Sequence, residues 1–176
     1  MKAENEAFAI WITGLPASGK STITSELKKL LAGKSVDAAV LESDALRKVF
    51  VSDQPYTPEG RERFYRQMVF VGSLLLEHGV PVIFDATANR RVFRDRARGE
   101  IERFVEVYVD VPLEVCMARD PKGIYRSAAS GQARKVPGLQ EPYEAPERPD
   151  LIVHGENPQA DALRIVELLL AKGYVK

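Results

Sequence analysis

The chain has a single cysteine, Cys116, so no internal disulfide is available, and a reducing, cytoplasmic setting is expected. Its two histidines, His78 and His154, have no metal-ligand neighbours in sequence and default to structural or surface roles. An excess of one charge is also lacking: 25 basic residues balance 25 acidic ones, which gives no general affinity for nucleic acid or an anionic membrane. No apolar run approaches the ~20 residues that span a bilayer. The polar, acidic start at residues 1–6 is unlike a signal peptide. Internal repeats and low-complexity tracts are missing as well. What is present is 176 residues, 45% of them hydrophobic, enough for one domain over 1–176 and too few for two ordinary ones.

The most specific feature is Gly14-Leu15-Pro16-Ala17-Ser18-Gly19-Lys20-Ser21-Thr22, which fits the phosphate-binding pattern G-x-x-x-x-G-K-[ST] without a mismatch. An apolar, β-prone run, Phe8-Ala9-Ile10-Trp11-Ile12-Thr13, precedes it, and a helical pattern begins at Lys20. Glycines let backbone N–H groups turn inward onto polyphosphate oxygens, and the following helix adds its positive dipole end. Lys20 supplies a point charge at the β- and γ-phosphates, and the Ser21 hydroxyl is a Mg²⁺ ligand. Placed between a strand and a helix, this loop predicts binding of a nucleoside triphosphate with Mg²⁺ as cofactor.

Apolar runs alternate with amphipathic stretches from end to end, as in a parallel sheet covered by helices. Strands are expected at 8–13, 38–41, 80–84, 105–109 and 151–153. Helices are expected at about 20–31, 58–78, 91–102, 112–119 and 160–171, with a short one near 125–130. Gly33 reads as the C-cap of the first helix, while Pro58 opens the long one and Gly79 closes it. The expected fold class is therefore α/β: a three-layer domain with a five-stranded parallel sheet, the phosphate loop at the end of its first strand and ligands at the carboxyl ends of the strands. The stretch 120–149, rich in Gly, Pro and charge, reads as a lid in the C-terminal half.

Asp44 follows the second strand and would face the same crevice as the loop. There it accepts a proton from an attacking hydroxyl or holds Mg²⁺ through water; the alternative is a helix N-cap followed by a solvated Arg47. Arg47, three residues on, could bind an anionic acceptor. Asp85 ends the third strand, where a carboxylate can serve Mg²⁺ or merely form a turn. Arg91, Arg94 and Arg98 share a helical face, either as a solvated surface or as an anion clamp. Basic lid residues Arg119, Lys122, Arg126, Arg134 and Lys135 could neutralise migrating phosphoryl charge on lid closure.

Beyond these local readings, nearly the whole chain resembles the adenylylsulfate kinases. Gly14–Thr22 is similar to that family's G-L-[SP]-x-[AS]-G-K-S-T loop, Leu41–Arg47 to its L-D-G-D-x-[LV]-R segment, and Tyr56-Thr57-Pro58-Glu59-Gly60-Arg61 to F-[ST]-x-E-D-R. The most particular stretch comprises Glu106–Asp110, Pro112–Cys116, Arg119-Asp120-Pro121-Lys122-Gly123-Ile124-Tyr125 and Pro142-Tyr143-Glu144-Ala145-Pro146. The resemblance implies transfer of the ATP γ-phosphate to the 3′-hydroxyl of adenylyl sulfate, as in sulfate activation, by a homodimer. It implies Lys20 and Asp44 as catalytic groups, with Arg119 and Lys122 joining the loop at ATP. Asp44, Arg47, Tyr56, Arg61, Arg91, Arg134 and Lys135 fall to the acceptor, and Ser21 and Asp85 to the metal.

Departures from the family pattern cluster at the acceptor side. Phe64 stands where an asparagine contacts the sulfate ester. The segment S-F-I-S-P-[YF]-R becomes Asp85-Ala86-Thr87-Ala88-Asn89-Arg90-Arg91, so its second serine is Ala88. F-T-G in the lid becomes Val136-Pro137-Gly138, which removes one of two aromatic faces around the acceptor's adenine and leaves Tyr56. Asp85–Asn89 also resembles the D-A-T-x-x motif of other P-loop kinases with assorted hydroxyl acceptors, so a different small acceptor is the alternative. A nucleotide switch without transfer activity is disfavoured, because no N-K-x-D motif occurs and Asp120-Pro121-Lys122-Gly123 follows a helix rather than a strand. Nucleic acid has only the patch from Arg90 to Arg103 as a footprint.

Overall fold

The structure, a computed structural model, describes residues 7–50 and 56–176. The polar start at residues 1–6 lies outside the described residues. Five strands, β1 (Ala9–Gly14), β2 (Ala39–Glu42), β3 (Val82–Asp85), β4 (Phe104–Val109) and β5 (Leu151–Val153), form one sheet in the order β2-β3-β1-β4-β5. Every pairing is parallel. The chain steps outward to β2, returns through β3, and crosses β1 to β4, so its direction of travel across the sheet reverses beside the end of β1.

Seven helices are described: α1 (Lys20–Gly33), α2 (Ser43–Arg47), α3 (Pro58–Glu77), α4 (Arg91–Glu100), α5 (Leu113–Arg119), α6 (Ile124–Ala129) and α7 (Pro158–Ala171). Alternation in β1 explains the layering. Ile10 and Ile12 face Ile23, Leu27 and Leu31 of α1 and Ile165 and Leu169 of α7. Ala9 and Trp11 face Phe64, Met68 and Val69 of α3 and Phe93 and Ala97 of α4. β1 is buried along its full length, as a central parallel strand covered on both faces must be.

Some boundaries differ from the sequence expectation. α1 runs through Gly33; Lys34 is its C-cap and Ser35 takes the left-handed turn at φ 61°. α7 begins two residues early because the Asn157 side chain accepts from the Ala160 N–H and Pro158 fits the first helical position. α2 is a separate short helix whose N-cap is Glu42, so Asp44 lies in its first turn and is not the cap.

The α3 face toward the sheet depends on Gly72. A Cβ there would press deep into the Phe84 ring, which is fully buried and stacked on Trp11 at 4.8 Å between centroids. Gly72→Ala is therefore expected to destabilise the fold by ~1–3 kcal/mol despite alanine's better helix propensity. Urea denaturation would show this as a lower midpoint with an unchanged slope; an equal or higher midpoint would contradict it.

Candidate active site

β1 delivers the phosphate loop to the crevice. Gly14 is required by close approach, since a Cβ would sit 2.7 Å from the Val109 carbonyl and 2.8 Å from Ser18 Oγ. Gly19 caps α1 at φ 100°, in the left-handed region open to glycine. Lys20 Nζ donates to the carbonyls of Gly14 (3.1 Å) and Leu15 (2.8 Å), which tethers the side chain across the loop. Burial lowers the Lys20 pKa, opposed by the charges of Asp85 and then Asp44. Asp85 behaves in mirror image: burial raises it, against the Lys20 charge and a hydrogen bond from Ser21.

A cavity of about 450 Å³ lies over this loop. Lys20, Ser21, Asp85 and Thr87 line it, with Arg119 and Lys122 coming from the end of the helix Leu113–Arg119 and the turn after it. Gly155 and Pro158, after β5, close the far side. A second cavity of about 690 Å³ adjoins it, lined by Arg47, Tyr56, Arg61, Arg134, Lys135 and Val136 among others. Pro16, Ser43, Asp44, Thr87, Lys122 and Ile124 border both. At this junction Lys122 Nζ lies 2.7 Å from Asp44 and 3.7 Å from Glu42. Carboxylates and cations mix in the first cavity, whereas the second is lined by Arg47, Arg61, Lys122, Arg134 and Lys135 with Asp44 as its acidic residue.

α6 and the segment that follows it pack onto the phosphate loop. Tyr125 Oη donates to the Pro16 carbonyl (2.9 Å), seating α6 on the phosphate loop. Gly138 packs against Leu15 so closely that a Cβ would meet Leu15 Cδ2 at 2.5 Å. Tyr143 Oη lies 3.0 Å from Thr13 Oγ1, which ties the strap after the lid to β1.

The structure separates the sequence-nominated residues into two groups. Gly14, Leu15 and Ser18 build the loop, while Pro16, Ala17, Gly19, Lys20, Ser21, Thr22, Asp44, Asp85, Arg119 and Lys122 line the first cavity. Asp44, Arg47, Tyr56, Arg61, Arg134 and Lys135 line the second. Arg91 lies outside both: its guanidinium bonds Glu147 and its N–H donates to Glu144. Arg94 is fully buried and Arg98 partly exposed, and both are engaged by acids: each pairs with Glu106, and Arg98 also with Asp150. Arg126 is 81% exposed and faces Asp120.

Two of the departures also change meaning. Phe64 is buried behind the second cavity, and the Arg47 guanidinium lies 3.8 Å from its ring centroid. It is thus a platform for Arg47, where the sequence reading had only a lost polar contact. Ala88 is buried at φ 40°, and its N–H donates to Tyr65 Oη. Val136 does line the second cavity. Functional candidates missed in the sequence are Thr87, Asn89, Gly155 and Pro158; only Thr87 and Asn89 had a signal, through the D-A-T-x-x motif.

Ser21 and Asp85 offer two hard oxygen donors hydrogen-bonded to each other beside the loop. That set suits Mg²⁺, which binds through one or two protein oxygens plus substrate phosphates. Among the described residues no cluster of three or more His, Cys, Asp or Glu forms a self-sufficient metal site. No helix among them is long and apolar enough to cross a membrane.

Comparison with known proteins gives a consistent result. The sequence model of a family described as Adenylylsulphate kinase matches residues 6–154. An adenylyl-sulfate kinase of Microcystis aeruginosa is 39% identical over 81% of this chain and 78% of its own length. One from Halothermothrix orenii is 35% identical over 94% of this chain and 91% of its own. Among solved structures, the Mycobacterium tuberculosis APS kinase CysC in complex with AMPPNP and APS superposes with a TM-score of 0.87. It is 30% identical, covering 93% of this chain and 98% of that one.

Proposed function

The chain belongs to the adenylylsulphate kinase family, and from that premise we propose that it transfers the γ-phosphoryl group of ATP to the 3′-hydroxyl of adenylyl sulfate. The observation that carries this reading is the Asp44–Lys122 contact of 2.7 Å where the two cavities meet. One cavity holds the phosphate loop and the other gathers Arg47, Arg61, Arg134 and Lys135. A donor in the first and an anionic acceptor in the second would place the migrating group between them.

Loop amides and Lys20 grip the ATP phosphates, and Arg119 and Lys122 cover them from the lid. Ser21 and Asp85 would hold Mg²⁺, which when bound supplies charge neutralisation at the β- and γ-oxygens. Asp44 orients the acceptor hydroxyl and takes its proton. Lys122, within reach of Asp44, meets the charge that develops during transfer. Phosphoryl transfer passes through a loose transition state, so placement and charge stabilisation outweigh base strength. Tyr56 offers an aromatic face to the acceptor's adenine in the cavity that Val136 also lines, and Arg47 and Arg61 hold its anionic end. The same family membership supports a cytoplasmic homodimer, which light scattering on the purified protein would check.

The test is ADP release with adenylyl sulfate measured beside a panel of other alcohols and nucleosides. Adenylyl sulfate is expected to give the highest kcat/KM. Release with another acceptor and none with adenylyl sulfate would overturn the assignment, and Val136 in place of the second aromatic face makes that panel worth running.

A further inference from the structure

Behind the cationic wall of the acceptor-side cavity sits a residue that reaches no substrate. Asn89 is 2% exposed and lines neither cavity. Its Oδ1 accepts from Arg61 NH1 at 3.3 Å, and its Nδ2 donates to the Pro142 carbonyl at 3.1 Å. Its own carbonyl accepts from the Glu144 N–H at 2.7 Å. Arg61 NH2 donates in turn to the Lys135 carbonyl at 2.8 Å. Asn89 therefore joins α3 and the turn after β3 to residues 142 and 144, and Arg61 carries the link on to Lys135 at the other end of that segment.

Building on the proposed kinase reading, we propose that Asn89 is a positioning residue for acceptor specificity, acting through Arg61. Arg61 is 7% exposed and lines the cavity. Long arginine side chains have many rotamers, and each hydrogen bond made behind the guanidinium removes some of them. With NH1 held by Asn89 and NH2 by the Lys135 carbonyl, the plane of the charge is set before an acceptor arrives. Tyr56, with its ring centroid 5.5 Å from the Arg61 guanidinium carbon, borders the same place. A guanidinium fixed in this way discriminates acceptors by where they carry negative charge. Direct contact between Asn89 and the acceptor is excluded by burial, so its effect must pass through Arg61 and the 135–144 segment.

The experiment is a double-mutant cycle of Asn89→Ala and Arg61→Ala in the full chain, with KM for the acceptor, KM for ATP and kcat measured for each. Asn89→Ala is expected to raise the acceptor KM about tenfold, the cost of one hydrogen bond to a charged group, and to leave the ATP KM within about twofold. In the Arg61→Ala background the same change is expected to add less than about twofold, because the two residues act as a unit. Multiplying effects, or an equal rise in the ATP KM, would overturn the proposal and leave Asn89 with a general structural role.

Hydrogen exchange provides an arm that needs no acceptor: the Glu144 amide is expected to exchange faster in Asn89→Ala than in the parent. Unchanged exchange would also count against the link. If the parent protein fails to turn over adenylyl sulfate, the kinase reading falls by itself. The cycle is then run with whichever hydroxyl compound of the panel supports ADP release, and the exchange arm stands unaltered.

Discussion

Lys20→Ala is expected to lower kcat by on the order of 10³-fold or more, since it removes a pre-placed charge from the point where phosphate charge must be stabilised. Two features of the site make the loss larger than that of an ordinary surface lysine. Lys20 is 9% exposed, so few water molecules can substitute for its ammonium. It also donates to the Gly14 and Leu15 carbonyls, so truncation loosens the loop that supplies the amide cradle. ATP affinity should fall together with kcat, measured by calorimetry with an unreactive ATP mimic and by coupled ADP release. Lys20→Arg keeps the charge but moves it on a longer, planar group, and is expected to recover only part of the rate. A purified Lys20→Ala protein with turnover within tenfold of the parent would remove Lys20 from the mechanism.

The largest effect on stability is expected at Glu106. Arg94 has no exposed side-chain surface, and its NH1 lies 2.9 Å from Glu106 Oε1. Arg94 NH2 bonds the Glu144 carbonyl, and the guanidinium lies 5.7 Å from the Tyr143 ring centroid. Glu106→Ala strands that buried cation, a change that costs ~3–5 kcal/mol. At ~2–4 °C per kcal/mol for a domain of this size, the melting point should fall by roughly 10 °C. Replacing both partners together, as Arg94→Met with Glu106→Leu, should recover most of the loss, because no charge is then left unpaired. A melting point within about 2 °C of the parent for Glu106→Ala would show that Arg94 finds solvent or another acid.

The same network adds an acid-labile contribution. Burial raises the Asp150 carboxyl, but the Glu106 N–H, then Arg98 and Lys172, outweigh it and hold its pKa below the usual value. A depressed native pKa means the stabilisation is present above the ordinary carboxylate range and is lost as pH falls through the native value. Mild acid should therefore weaken the parent more than an Asp150→Asn variant, measured as the shift in urea midpoint between pH 7 and about pH 3.

The phosphate loop, the strand before it and the helix after it were legible because their requirements are local. Gly19 needs its left-handed turn, Pro58 and Gly79 bracket α3, and alternation in β1 assigns opposite faces, all within a few residues of chain. Long-range partners were not legible. The spacing of Arg91, Arg94 and Arg98 is visible in sequence, but their meaning depends on Glu106 from β4 and Asp150 at the entry to β5. Phe64 looked like a lost polar contact until α2 and α3 were seen to bring Arg47 over its ring.

Thus the sequence by itself determined that a phosphate loop ends the first strand of a parallel sheet and leads into a helix at Lys20, and it nominated Asp44 and Asp85, each with a plain structural alternative, for the same crevice. Tertiary structure alone decided which charges meet there. Lys122 reaches Asp44 across 78 positions of chain, and Asn89 joins Arg61 to the segment after α6. The reason is that hydrogen bonds and ion pairs act over a few ångströms, whereas sequence patterns report only periodicity along one element. Which arginine becomes core and which becomes site is settled when separate elements pack.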